Sequence, residues 1–256
     1  MVRIDLYAIA AAVALTVAPG GLQAAANPDI DPKAMAALEK MGAYLRTLNA
    51  FRVKAVITDE EVLDDGQKIL YSSTADIVAK KPNRLRAAAL SERRERLLFY
   101  DGKTLTVYAP RVGYYASIAA PPTTAQLAKA LDDQYDISLP LEDLFLWGSA
   151  GWSSSAILGV MDVGPSAVEG TTCEQYALRQ KDIDWQIWVQ QGDFPLPRRL
   201  VITTRTDEAR PQHTAVYTWD LAPSFNEASF TFQPPPGVSR VPLAKSSLAA
   251  ADSPKK

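Results

Sequence analysis

The feature that most constrains this chain is an alternation of apolar and polar residues with period two, which begins at Phe51 and returns in run after run almost to the C-terminus. Phe51, Val53, Ala55 and Ile57 alternate with Arg52, Lys54, Val56 and Thr58, the pattern by which a strand buries one face and wets the other. The runs "KILYSSTADIVAK", "RLRAAALS", "RLLFYD", "TLTVYAP" and "GYYASIA" follow, several of them ended by turn residues such as Asp64-Asp65-Gly66, Lys81-Pro82-Asn83 and Asp101-Gly102. Connections this short join antiparallel neighbours, and Asp101-Gly102 reads as a two-residue hairpin turn. A second series of strands is expected at residues 166–169, 174–179, 184–190, 198–205, 214–221 and 230–232.

Helices are expected only before and between these two series. Asp31 is an N-cap followed by Pro32 at the first helical position, and Leu38, Met41, Leu45 and Leu48 recur at helical spacing, which predicts a helix over residues 32–48. Between the strand series, Thr123 or Thr124 caps a helix with Leu127, Ala130 and Leu131 on its apolar face. Ser138 caps a second that carries Leu141, Leu144, Phe145, Leu146 and Trp147 before Gly148 stops it. The first is amphipathic; the second is apolar nearly all round.

The ends of the chain bear on compartment. Arg3 precedes an almost wholly apolar run from Ile4 to Ala18, Pro19-Gly20-Gly21 stops it, and Ala24-Ala25-Ala26 offers small residues to a signal peptidase. The expectation is a cleaved signal over residues 1–26, a periplasmic protein that is not lipidated, one domain over residues 27–240 and a disordered tail over residues 241–256. A single cysteine, Cys173, excludes an intramolecular disulfide, so core burial has to hold the fold. A net charge of −2 argues against a protein that tracks nucleic-acid phosphates.

Residues for chemistry are sparse. The one histidine, His213, sits in the turn-like "EARPQHTAV" and reads as a surface residue beside a hairpin. A zinc site needs three or four ligands, so no metal is expected. Gly151-Trp152-Ser153-Ser154-Ser155 begins the nucleophile-elbow pattern but lacks its last glycine. Asp59-Glu60, Asp64-Asp65 and Asp132-Asp133 read as solvated charge. No catalysis and no cofactor are expected.

The stretch "DWQIWVQQGDFPLPRRLVITT" carries two tryptophans. Alternation places Trp185, Ile187 and Val189 on one face and Trp188 among Asp184, Gln186 and Gln190 on the other. A long antiparallel sheet curls, and helices over its concave face can leave a dry cavity suited to acyl chains. Arg198 and Arg199 should alternate faces; one of them could meet a phosphate or carboxylate at the cavity mouth, but an exposed arginine at a strand start is the commoner case.

"AKKPNRLRA" followed by "FYDGKTLTVYAP", and "SFTFQPPPGV" near the end, resemble segments of the periplasmic lipoprotein-carrier (LolA-like) family. "VEGTTCEQYAL" and "DWQIWV…PLPRRLVIT" are similar to a family of predicted periplasmic proteins thought to share that fold. The resemblance implies a curved, half-open β-barrel with a helical lid over an apolar concave face that receives lipid. It makes Lys81 the counterpart of a basic residue that helps close the lid, although lysine lacks the planar fork of arginine. The expected function is therefore a non-catalytic carrier, monomeric, for a lipid or lipidated protein, with an inner- or outer-membrane protein as a further partner and no nucleic acid. Candidate cavity residues are Leu131, Leu141, Leu144, Phe145, Trp147, Trp185, Ile187 and Val189, with Lys81 as the lid clasp. The alternatives are an envelope sensor or protein-interaction domain on the same fold and, third, an enzyme of unknown type.

Overall fold

In a computed structural model of the chain, the described residues are 29–135, 137 and 154–244. The expected signal, the helix carrying Leu141, Leu144, Phe145 and Trp147, and the tail beyond residue 244 lie outside them. Helix α1 (Pro32–Thr47) precedes strands β1 (Ala50–Val62), β2 (Lys68–Lys80), β3 (Arg84–Ser91), β4 (Glu95–Tyr100), β5 (Thr104–Ala109) and β6 (Tyr114–Ala119). Helix α2 (Thr124–Tyr135) follows, then β7 (Gly159–Val168), β8 (Thr171–Arg179), β9 (Ile183–Gln190), β10 (Pro197–Thr204), β11 (Gln212–Asp220) and β12 (Ser239–Arg240).

All twelve strands belong to one sheet, in the order β12-β6-β5-β4-β3-β2-β1-β11-β10-β9-β8-β7. The two series are two meanders joined at the β1–β11 seam, where Val53 lies opposite Trp219 and Ala55 opposite Tyr217. Every pairing is antiparallel except β12 on β6. The outer strands β7 and β12 are not paired to each other, so the barrel stays open.

The helix start is as its sequence dictates: Asp31 accepts the Lys33 amide at 2.8 Å, Pro32 opens α1, and Ala34, Leu38, Met41 and Leu45 are its buried stripe. Its ends are pinned far apart on the sheet. Asp31 N–H donates to Val160 O at 2.9 Å on β7, while the amide of Lys81, just after β2, donates to Asn49 O at 2.8 Å just past the helix. A helix of 16 residues is roughly 24 Å long, whereas the arc across the strands from β7 to β2 is about 29 Å at ordinary strand spacing. The helix is a chord, and the sheet must curl around it.

The structure corrects four local expectations. Residues 230–232 are not a strand: Glu227–Phe230 is a 3-10 turn in which the Asn226 side chain accepts the Ser229 amide at 3.0 Å. The closing strand is Ser239–Arg240, displaced because Pro234, Pro235 and Pro236 have no amide to give a ladder. The strand expected at residue 166 begins at Gly159, its alternation broken by a bulge between Asp162 and Gly164. In the β4–β5 hairpin the loop is one residue further on. Asp101 N–H pairs with Thr104 O, its carboxylate takes the Lys103 and Thr104 amides at 2.9 and 2.8 Å, and Gly102 holds φ at +90°. A Cβ there would also stand 2.6 Å from the Asn83 side chain, so this position needs glycine twice over.

The fourth correction concerns Arg198 and Arg199. A bulge between Pro197 and Arg199 breaks the alternation. Arg199 stacks over the Trp188 ring at 5.3 Å, Arg198 donates to Thr171 Oγ1 at 2.9 Å, and both charges act on the Cys173 thiol between them. The two guanidiniums therefore share the convex side.

Candidate functional site

Register assigns every strand residue to a face. On the face that meets α1, the row Trp219, Val53, Ile77, Ala87, Leu98, Val107 and Ala116 runs across seven strands. The next row is Tyr217, Ala55, Ala75 and Ala89. With Ala79 and Ala215, the floor of the concave face is thus built largely of alanine where an ordinary sheet core would present Val, Ile or Leu. Small side chains on the floor let the long side chains of the helix above it pack down onto the sheet in one buried cluster.

Over this floor lie Leu38, Met41 and Leu45 of α1 and Leu127 and Leu131 of α2, in one buried cluster with the sheet. Ile57, Val107 and Ile118 stay half-buried at its margin. Among the described residues no buried side-chain nitrogen or oxygen lacks a partner. The polar groups on this face keep to the rim, where Asp59 and His213 lie 2.6 Å apart. His213 is therefore half-buried in a strand and partnered, not a free surface residue in a turn. Burial pushes the Tyr176 hydroxyl up to about 12, helped by Asp162, Glu174 and Asp31. Among the described residues no group of three or more His, Cys, Asp or Glu stands close enough to hold a metal ion.

The two tryptophans of β9 fall on opposite faces. Trp185, Ile187 and Val189 are buried on the concave side, with Trp185 opposite Ile202 and Leu178, and Ile187 opposite Leu200 and Tyr176. Trp188 lies on the convex side in a separate cluster with Val168 and Cys173, and its indole donates to Ser166 Oγ at 3.2 Å. Polar neighbours in sequence do not make it exposed, because β7, β8 and the Arg199 guanidinium cover it. Leu131 is fully buried on α2.

Lys81 reaches the C-terminal end of α1. Its Nζ donates to Leu45 O at 3.2 Å and Arg46 O at 2.9 Å, two carbonyls of the last turn of the helix. Burial of the ammonium and the nearby Arg46 charge lower its pKa. The following residue, Pro82, accepts the Thr124 amide at 3.0 Å at the start of α2. Flanking this turn, Lys80 and Arg84 hold Glu227 at 2.5 and 3.1 Å. One turn thus joins α1, α2 and the C-terminal segment. That segment crosses the convex face, where Phe232 packs on Phe99, Tyr108 and Tyr115 at 5.0 to 5.4 Å. A cleft of about 350 Å³ beside it is lined by Thr106, Ser117, Phe232 and Arg240 among others.

Sequence reasoning did not single out the alanine floor, although its signal was present as the spacing of Ala75, Ala79, Ala87 and Ala89 within strand runs. The Asp59–His213 pair and the Glu227 contacts had no such signal, since their partners are far apart in the chain.

The pattern of the family described as "Predicted periplasmic protein (DUF2092)" matches residues 34–244. The chain belongs to this family. Its matched region runs from α1 past β12 and so takes in the whole sheet and both helices. Among solved structures, the chain is similar to LprF from Mycobacterium bovis, at 14% identity and a TM-score of 0.46, with 82% of this chain and 100% of that one covered. It is similar to MucB at 14% identity and a TM-score of 0.41, covering 79% of this chain and 64% of that one. It is also similar to the LolA superfamily protein NE2245 from Nitrosomonas europaea, at 14% identity and a TM-score of 0.37, covering 78% and 97%. No curated protein matches the sequence. No helix among the described residues is long and apolar enough to cross a membrane.

Proposed function

We propose that this DUF2092 protein is a non-catalytic periplasmic carrier that holds an acyl chain, from a lipid or a lipidated protein, between the concave face of the sheet and its helices. The observation that carries the reading is the alanine floor, Ala55, Ala75, Ala79 and Ala87, beneath a helical layer whose contacts to it are apolar. An acyl chain entering at Ile57, Val107 and Ile118 replaces helix side chains on that floor, and each methylene buried contributes about 0.8 kcal/mol. In this reading Leu131, Trp185, Ile187 and Val189 meet the ligand as α1 lifts, and Lys81 is the latch that holds α1 down. Leu141, Leu144, Phe145 and Trp147, the other candidate cavity residues, lie outside the described residues.

Mass spectrometry of organic extracts from native protein tests this. An acyl-bearing species near one per protein is expected, and Ala75→Leu, which fills the floor, should exclude it from a folded protein. Extracts without such a species, together with no binding of a fluorescent fatty acid, would overturn the reading.

A second reading, a protein-interaction domain, is favoured by the outer edge of β7. Among the described residues, only Ile30 bridges to it, at Val160, and Leu158, Met161 and Val163 are exposed beside it. An extended segment of a partner could add there.

A further inference from the structure

The chain as a whole carries a net charge of −2, yet one corner of the sheet has the opposite sign. The β3–β4 turn and the loop between β5 and β6 meet there, bringing Arg93, Arg94, Arg96 and Arg111 together against Glu92 and Glu95. Arg111 ties the loops: it donates to the carbonyls of Glu92 and Ser91 and reaches the Glu95 carboxylate at 3.8 Å. Arg93 stacks on Tyr71 at 4.4 Å and donates to its hydroxyl at 3.0 Å. Among the described residues no carboxylate pairs with Arg93, Arg94 or Arg96.

The same corner exposes apolar side chains. Val112, at the apex of the β5–β6 loop, is 63% exposed and Tyr114 beside it 49%. Val241, joined to Tyr115 O through its amide, and Leu90, opposite Glu95, are exposed as well. Val112 does not complete a core, because no buried residue lies on the 3-10 turn that carries it. Register places Tyr114 opposite Ala109 and Arg96 opposite Ala89, so the corner continues onto the alanine floor.

We propose that this corner docks the protein on an anionic bilayer. Val112 and Tyr114 enter the boundary of the acyl region, while the arginines lie at the level of the lipid phosphates with their stems along the apolar patch. Charge complementarity selects this occupant, because a concentration of unpaired arginines around a small apolar tip matches a phosphate layer over hydrocarbon. The site stands whether or not the concave face holds a ligand. If it does, docking brings the margin of the floor to the membrane from which a chain would come.

The test is co-sedimentation of the exported protein with vesicles of phosphatidylcholine alone or with one third phosphatidylglycerol, at low and high salt. Binding should require phosphatidylglycerol and fall at high salt. Each basic residue near an anionic surface is worth about a fivefold change in partitioning. Arg94→Glu/Arg96→Glu should therefore lose about 30-fold or more, and Val112→Asp should weaken binding too. Lys103→Glu/Lys129→Glu, with the same change in net charge elsewhere, should bind as the parent does. Equal binding to both vesicles, equal loss in the control pair, no binding at all, or binding only to native envelope vesicles that retain their proteins would overturn the proposal. Fluorescent fatty-acid binding measured on the same variants keeps the outcomes apart, since it should be unchanged by these substitutions and its absence speaks only against the carrier reading.

Discussion

Trp185→Ala and Trp188→Phe separate the two faces of β9. Trp185 is 6% exposed in the main core, opposite Ile202 and Leu178, so truncating it leaves a cavity bounded by large apolar side chains. Such truncations cost about 3–5 kcal/mol. In a domain of this size each kcal/mol lowers Tm by about 2–4 °C, which gives a fall of roughly 6–20 °C. Trp188 is equally buried, at 8%, but in the satellite cluster with Val168 and Cys173. Phenylalanine there keeps a ring under Arg199 and loses the indole bond to Ser166, about 1 kcal/mol or roughly 2–4 °C. Thermal unfolding followed by circular dichroism measures the difference. Titration of a fluorescent fatty acid into the folded proteins should show affinity lowered about tenfold by Trp185→Ala, equivalent to roughly 1.4 kcal/mol, and nearly unchanged by Trp188→Phe. Equal falls in both Tm and affinity would refute the argument, since they would mean that the concave and convex clusters are one environment.

Two further substitutions probe the contacts that fasten the fold. Lys81→Met removes the donor from two helix-end carbonyls, and with solvent screening the loss should be about 1 kcal/mol, read as a lower urea midpoint. Because the folded-state pKa of Lys81 is lowered, the parent gains stability as pH rises through that value toward the unfolded one, so the gap between parent and variant should widen at alkaline pH; a gap independent of pH would count against that lowering. Asp184→Asn weakens a convex-face hub in which the carboxylate meets Arg179 at 2.8 Å, Arg210 at 2.9 Å and Arg205 at 3.6 Å. Solvent screens these pairs, so the loss should be small and read as a slightly lower urea midpoint. The Arg179 bond holds the carboxyl below its usual range, so this stability is present above the unfolded pKa and is lost as pH falls through the folded one; acid unfolding curves of parent and variant should converge there, and parallel curves would refute the hub.

What the sequence determined by itself was local. Period two with turn residues set the antiparallel strands, Asp31-Pro32 and the helical spacing set α1, and an odd separation put Trp185 and Trp188 on opposite faces. These follow because backbone geometry and side-chain direction repeat within a few residues. The resemblance supplied the half-open barrel, which no local pattern specifies. The irregular places were hidden by their own residues: Gly164 and Pro165 obscured the start of β7, the bulge at Arg198 turned both arginines to one side, and the prolines after Gln233 moved the closing strand. Only the tertiary structure decided that Lys81 grips the end of α1, that Glu227 meets Lys80 and Arg84, and that Asp59 meets His213. It also decided that single alanines in separate strands line up as one floor. Each of these joins residues with little sequence between them in space and many along the chain, so their pairing depends on strand order and register, which are fixed only when the whole sheet closes around its helices.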